Sequence, residues 1–138
     1  MRIENELKLN FDDVLIRPKR STLESRSQVS LARPFTFLNS KQKWTGIPII
    51  ASNMDTTGTI ETSEVLDKFN MLTFLHKHYE VDKLYDLFFS KPRTNIGYTT
   101  GITDLDIQKW KMLKGKLPKN TIKWINVDVA NGYTERFV

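Results

Sequence analysis

Three short polar stretches, each beginning where an apolar run ends, contain the side chains best suited to binding a ligand. Ser52 and Met54 follow the first run, and the Met54 thioether is polarizable enough to lie against an aromatic ring. Lys77 follows the second run, and its ammonium group is a point charge that suits a phosphate or a ribose. Asp128 lies at the end of the last run and offers a carboxylate that accepts hydrogen bonds.

Each of these candidates also has a simpler structural interpretation. Met54 can belong to the core while Asp55 caps the next helix, and Asp128 can cap a helix in the same way. His76 and His78 flank Lys77, but an isolated histidine more often satisfies a local hydrogen bond than transfers a proton. Residue type alone leaves these alternatives open, and neither histidine is assigned a catalytic role.

The composition excludes several kinds of chemistry within this chain. Its 138 residues include no cysteine, so disulfides, thiolate zinc sites and a thiol nucleophile are excluded. Two histidines are too few for a convincing metal site, so no metal ligand is assigned. There is no Gly-x-Gly-x-x-Gly sequence and no Gly-Lys-Ser/Thr loop, and a Rossmann site therefore has no support. We assign no catalytic residue.

The net charge of +5 comes mainly from lysines in the last third of the chain. No acidic residue lies between Asp106 and Asp128, a stretch that contains Lys109, Lys111, Lys114, Lys116, Lys119 and Lys123. This pattern is typical of a solvated helix face and loop. Arginine is scarce there and few aromatic residues are interleaved, so we expect no nucleic-acid partner.

The chain has the length of one ordinary domain, and 39% of its residues are hydrophobic. No apolar run approaches the roughly 18 to 20 residues that span a bilayer, and the N-terminus lacks the apolar stretch of a signal peptide. We therefore expect a cytoplasmic, globular protein without a membrane partner.

Predicted strands and helices alternate from Gly46 onward. Short apolar runs predict strands at residues 47–52, which we expect to be buried, and at 71–75, 94–99 and 122–129. Helices are indicated between them by periodic apolar residues, namely Val65, Leu66 and Phe69, then Val81, Leu84, Tyr85 and Phe88. This alternation predicts parallel strands joined by right-handed crossovers.

Helix-capping and helix-breaking residues predict where the second helix ends and where the third helix begins and ends. Pro92 closes the second helix, and a capping box at residues 103–106 opens the third, which Gly115 and Pro118 end. Residues 1–45 form an N-terminal extension in which residues 35–37 alternate like a short strand. With no linker or repeat in the sequence, residues 1–138 are predicted to form a single domain.

Several separate motifs resemble the GMP reductase family, in the family's order and over nearly the whole chain. They lie at residues 7–9, 12–21, 25–27, 48–50, 53–56, 76–79 and 128–134. IMP dehydrogenases share the early Asp-Val-Leu-Ile-Arg-Pro and Met-Asp-Thr features. Those enzymes usually carry an insertion after the second strand and lack the Ala-Asn-Gly-Tyr sequence found here at residues 130–133.

The resemblance implies a fold and an activity. The family fold is a (β/α)8 TIM barrel of about 250 residues, so this chain is expected to be the N-terminal half, an incomplete α/β domain with about four parallel strands and intervening helices. The family uses NADPH to convert GMP to IMP and ammonia through a cysteine adduct, and it assembles as a homotetramer. Because that cysteine belongs to the other half of the barrel, the isolated chain is expected to be inactive.

The resemblance also implies two groups of site residues. Substrate binding is expected at Ser52 and Met54. Contacts to NADPH are expected at Ser25, Arg26, Lys77, Asp128, Val129 and Ala130. Ser25 and Arg26 would be donated across a subunit boundary, although sequence alone describes Arg26 only as an exposed charge.

Other functions remain as alternatives. An IMP dehydrogenase-like enzyme would oxidise the same nucleotide ring with NAD. A truncated, non-catalytic paralogue would associate with an intact reductase. A basic nucleic-acid module would bind DNA or RNA in a strongly salt-dependent way.

Overall fold

The computed structural model describes residues 3–91 and 93–138 and contains one five-stranded sheet, ordered β1-β2-β3-β4-β5. The strands are β1 Arg33–Thr36, β2 Lys43–Ala51, β3 Met71–Phe74, β4 Ile96–Thr100 and β5 Ile125–Val127. β1 and β2 form an antiparallel pair, whereas β2, β3, β4 and β5 pair in parallel. The predicted α/β fold with four parallel strands is confirmed, and the sheet is not closed.

Three helices connect the parallel strands, namely α1 Ile60–Asp67, α2 Val81–Ser90 and α3 Asp104–Lys116. α1 begins where the Thr59 side chain accepts a hydrogen bond from the Thr62 amide. α3 begins with the predicted capping box, because Thr103 and Asp106 each accept a hydrogen bond from the other's backbone amide. These caps satisfy amide groups that have no partner inside the helix.

One face of the sheet packs against the helices and forms the core. The buried residues of this core are Leu75, Leu84, Leu87, Phe88, Ile96, Tyr98, Leu113 and Leu117. The i, i+4 pair on α2 that predicted an apolar face, Leu84 and Phe88, is almost fully buried. We call the face of the sheet that packs against the helices the covered face.

The other face of the sheet, which we call the open face, carries a cavity of about 240 Å³. Its lining is apolar and consists of Phe35, Phe37, Trp44, Pro48, Ile50, Leu72, Phe74 and Trp124. Aromatic pairs organise it, with ring centroids 5.8 Å apart for Phe35 and Trp44 and 5.1 Å apart for Phe37 and Trp124. Unlike the covered face, it is not packed against a helix layer of the described residues.

The structure corrects several predicted boundaries. β2 begins at Lys43, inside the predicted extension, because β1 pairs with its first residues. The strand is not buried as predicted, since Ile49 and Ile50 are 59% and 53% exposed. Phe69 lies after α1, and β5 is shorter than residues 122–129.

Gly115 does not end the third helix but lies inside it, since α3 continues to Lys116. A Cβ placed at Gly115 would meet no atom within 4 Å, so the position is open to solvent and imposes no break. The prediction for Pro92 lies outside the described residues.

The chain divides into two compact units, one before and one after the Ser30–Leu31 bond. In the first unit, the described residues 3–30 are exposed, and their regular structure is limited to two short 3-10 helices at Phe11–Asp13 and Arg26–Gln28. Local hydrogen bonds cap both helices. The prediction of a single domain over residues 1–138 stays a prediction.

Candidate functional site

The predicted binding residues of the second unit lie in loops at the carboxyl ends of the parallel strands. Ser52 and Met54 follow β2, Lys77 follows β3, and Asp128 follows β5. Parallel strands present their carboxyl ends at one edge of a sheet, which is where ligands bind in barrels of this type. We call this edge the loop edge.

A hydrogen bond between Asn53 and Asp128 connects the first and last loops of this edge. The Asn53 Nδ2 atom donates to the Asp128 Oδ2 atom over 2.9 Å, although the residues are 75 positions apart in sequence. The Asp128 amide also donates to the Thr100 carbonyl at the end of β4, over 2.8 Å. Asp128 is therefore held at its side chain by the loop after β2 and at its main chain by the end of β4.

Gly58 brings the loop after β2 into close contact with the loop after β3. The His76 amide donates to the Gly58 carbonyl over 2.9 Å. A Cβ at Gly58 would lie 2.5 Å from the Phe74 carbonyl oxygen and 3.0 Å from the His76 nitrogen. Only glycine permits this approach without a shift of the backbone.

The two histidines support local structure at this edge. The His76 ring stacks on Tyr79 with centroids 4.1 Å apart, and the Tyr79 hydroxyl accepts from the Ile60 amide at the start of α1 over 3.0 Å. His78 Nε2 lies 3.6 Å from an Asp55 carboxylate oxygen. The His76 Nδ1 atom also accepts from the His78 amide over 3.3 Å, a local hydrogen bond of the kind expected for these histidines.

Lys77 is exposed, and its backbone is held by α3. The Lys109 ammonium donates to the Lys77 carbonyl over 2.7 Å. Burial lowers the pKa of Lys109, although the nearby carboxylates of Glu80 and Asp106 partly offset this effect. The pKa of Asp106 is lowered, mainly because the Thr103 hydroxyl donates to its carboxylate over 2.6 Å.

The structure does not support the core interpretation of Met54. Its side chain is 61% exposed and therefore not part of the core, while its carbonyl accepts from the Thr57 and Gly58 amides in a turn. α1 is capped by Thr59 and not by Asp55. Ser52 is exposed on the same loop.

The segment after β5 is exposed except for Val129, which is partly buried. Ala130 presents only a methyl group at the loop edge. Asp128 accepts a hydrogen bond from Asn53 instead of capping a helix among the described residues.

Ser25 and Arg26 lie in the first unit. The Ser25 side chain accepts from the Ser27 amide and caps the 3-10 helix Arg26–Gln28. Arg26 is exposed, as its sequence environment suggests. The expected cofactor contacts of both residues stay predictions.

Sequence reasoning missed two residues that shape this edge. Asn53 was noted only as part of a motif, and Lys109 was interpreted as part of a solvated helix face. That interpretation is wrong for Lys109, which is partly buried against the Lys77 carbonyl. Lys116 is exposed as predicted, and its ammonium pairs with Asp82 of α2 at the surface. Helical spacing from the capping Asp106 would have placed Lys109 on the same side of α3.

A further cavity lies away from the loop edge. Within residues 3–91 and 93–138, a cavity of about 710 Å³ is lined by the end of α3 and by the segment that leads into β5. No helix among the described residues is long and apolar enough to cross a membrane. The same residues contain no group of three histidine, aspartate or glutamate side chains placed to hold a metal ion.

Comparison with known proteins identifies relatives over the whole chain. It is 51% identical over 142 residues to GMP reductase of Onchocerca volvulus, covering 99% of this chain and 38% of that protein. It is 49% identical to GMP reductases of Yersinia pestis (strain Pestoides F) and Citrobacter koseri, covering all of this chain and 40% of each relative. No protein-family model matches the chain.

A solved structure supports the fold independently. An inosine 5′-monophosphate dehydrogenase from Legionella pneumophila superimposes with a TM-score of 0.70 at 23% identity, covering 92% of this chain and 37% of that one. The sheet and helices described above therefore match part of a TIM barrel. The chain spans about two fifths of the length of the curated relatives it matches. By sequence, the whole of this chain is similar to the N-terminal portion of GMP reductases, at about 50% identity.

Proposed function

We propose that these residues form the N-terminal part of an NADPH-dependent GMP reductase, which converts GMP to IMP and ammonia. The observation that carries this proposal is the hydrogen bond between Asn53 and Asp128. It joins two of the motifs that resemble the family, the Asn-Met-Asp loop and the Asp-Val-Ala segment, at one edge of the sheet. Identity of about 50% to GMP reductases over the whole chain supports the same function.

The residues at the loop edge have the chemistry that a dinucleotide cofactor needs. Lys77 offers an exposed positive charge for a phosphate or a ribose. Asp128 accepts from Asn53 through Oδ2, which leaves Oδ1 to accept from a ribose hydroxyl or a carboxamide. Bound NADPH supplies the hydride, and this part of the chain holds and orients the cofactor.

Other contacts complete the proposed site. Ser52 and Met54, both exposed on the loop after β2, would contact the purine nucleotide. Val129 and Ala130 would lie beside the cofactor, where a small side chain permits close approach. Ser25 and Arg26 would reach the cofactor of a neighbouring subunit in a homotetramer, because a guanidinium group suits the additional phosphate of NADPH. We also propose a cytoplasmic location.

The nucleophile must come from outside these 138 residues, which contain no cysteine. A thiolate attacks the purine and later departs, a combination that oxygen and nitrogen side chains match poorly. We therefore expect no turnover by the 138-residue polypeptide.

The test follows NADPH oxidation in the presence of GMP. The enzyme produced from the native gene should consume NADPH and form IMP and ammonia, whereas the 138-residue polypeptide should match a control without enzyme. Turnover by the short polypeptide would contradict the cysteine argument. No turnover by a longer, cysteine-containing product would contradict the proposed activity.

The alternatives give different results in the same experiment. An IMP dehydrogenase would reduce NAD with IMP, but its support here is a structure at 23% identity, which indicates the fold alone. A non-catalytic paralogue would co-purify with a separate intact reductase. Steeply salt-dependent binding to DNA or RNA would instead indicate a nucleic-acid module.

A further inference from the structure

Lys109 makes an unusual contact for a lysine in a surface helix. Its Nζ atom donates to the main-chain carbonyl of Lys77 over 2.7 Å, across 32 positions of sequence. The side chain is partly buried, whereas Lys111 and Lys114 of the same helix are exposed. α3 is therefore attached to the loop that carries Lys77.

The peptide segment around Lys77 is also held on its other side. The His76 amide donates to the Gly58 carbonyl over 2.9 Å, and the His76 ring stacks on Tyr79. The Lys109 ammonium contacts the carbonyl of Lys77, the residue after His76. Main-chain groups on both sides of the Lys77 Cα are therefore fixed. Without the Lys109 contact, the Lys77 carbonyl would have no donor among the described residues.

The surrounding charges allow two lysines to lie near each other. Glu80 and Asp106 are the carboxylates that act on Lys109, and Asp106 also interacts with Lys77. Asp106 is itself fixed by the Thr103 hydroxyl at the start of α3. This carboxylate reduces the repulsion between the two ammonium groups.

We propose that Lys109 is a positioning residue, which fixes the Lys77 main chain so that the Lys77 side chain is presented to the phosphates or ribose of the nucleotide cofactor. The inference rests on the proposed function. Because Lys109 already holds the Lys77 main chain, less backbone entropy is lost when the cofactor binds. Lys109 itself touches neither substrate nor cofactor in this proposal.

The experiment compares variants of the full-length enzyme from the native gene. Lys109→Gln removes the ammonium group, Lys109→Arg retains a charged donor, and Lys111→Gln removes an equal charge from an exposed position of the same helix. NADPH affinity is measured by fluorescence titration, and KM and kcat are measured separately. We expect the Lys109→Gln dissociation constant and KM for NADPH to rise roughly tenfold, as for loss of a charge-assisted hydrogen bond.

In the same comparison, kcat at saturating NADPH should remain nearly unchanged and Lys109→Arg should recover most of the affinity. Lys111→Gln should bind NADPH as the wild type does. Equal effects of Lys111→Gln and Lys109→Gln would show that only the net charge matters and would overturn the inference, as would wild-type affinity in Lys109→Gln. If the wild-type enzyme itself does not bind NADPH, the proposed function and this inference both fail.

Discussion

The two faces of the sheet differ in what covers them. On the covered face, Leu75, Ile96 and Tyr98 pack against α2 and α3 and are at most 2% exposed. On the open face, Phe35 and Ile50 are 40% and 53% exposed around a cavity. Both faces are apolar, so hydrophobicity alone does not distinguish them.

The difference arises because the helices that follow β2, β3 and β4 pack against the covered face, whereas no helix of the described residues packs against the open face. The open face contains large aromatic residues, but they cover one another only in part. In a barrel, that face is the interior, which is filled by side chains from all strands. The stability of this part of the molecule should therefore depend on the covered face far more than on the open face.

The largest expected effect comes from a cavity in the covered face. Leu84→Ala removes a side chain that is 1% exposed and packed in the core. We expect the free energy of unfolding to fall by about 2 to 5 kcal/mol. Denaturant titration of the protein measures this change, and a loss below about 1 kcal/mol would show that the covered face is not the main source of stability.

A smaller effect is expected at the helix cap that supports the covered face. Thr103→Ala removes the hydroxyl that accepts from the Asp106 amide and donates to its carboxylate. We expect a loss of about 1 kcal/mol at neutral pH. The matched control is Thr121→Ala, which removes a hydroxyl that bonds only to the nearby Pro118 carbonyl, away from any helix start.

The pH dependence of this effect follows from Asp106. The folded-state pKa of Asp106 lies below 3.8, so its stabilising contribution is present above pH 3.8 and is lost as the pH falls through the lower folded value. The difference between wild type and Thr103→Ala should therefore shrink in acid. A difference that stayed constant down to the acid transition would assign the whole effect to the cap hydrogen bond from the Asp106 amide.

The smallest effect is expected on the open face. Ile50→Ala truncates a side chain that is already 53% exposed, so the 138-residue polypeptide should lose less than about 1 kcal/mol. The same denaturant titration gives this value, with Leu84→Ala as the reference. Equal losses for the two variants would remove the distinction between the faces.

Sequence patterns predicted the order and type of the parallel strands and helices well. The apolar spacing in α2 and the Thr103 capping box are local signals, and both appear in the structure as predicted. The error in the start of β2 came from a tertiary pairing, since β1 supplies the hydrogen bonds that extend β2 to Lys43. Gly115 was misjudged because an exposed glycine is tolerated inside a helix at a modest cost.

The candidate site was less accessible to sequence reasoning. Motifs identified Met54, Lys77 and Asp128, but no local pattern connects Asn53 with Asp128 or Lys109 with the Lys77 carbonyl. Those contacts join residues 75 and 32 positions apart. The first exists because parallel strands bring their carboxyl ends to one edge, and the second because α3 lies beside the loop that follows β3.

The sequence by itself determined the alternation of strands and helices, the resemblance to GMP reductases and the absence of a thiol nucleophile within these residues, because each depends on local spacing or on residue identity. Only the tertiary structure decided which apolar residues are buried, that Met54 faces solvent, and which side chains hold Lys77 and Asp128 in place. Burial and long-range hydrogen bonds depend on which elements pack together, and that information is spread over the whole chain.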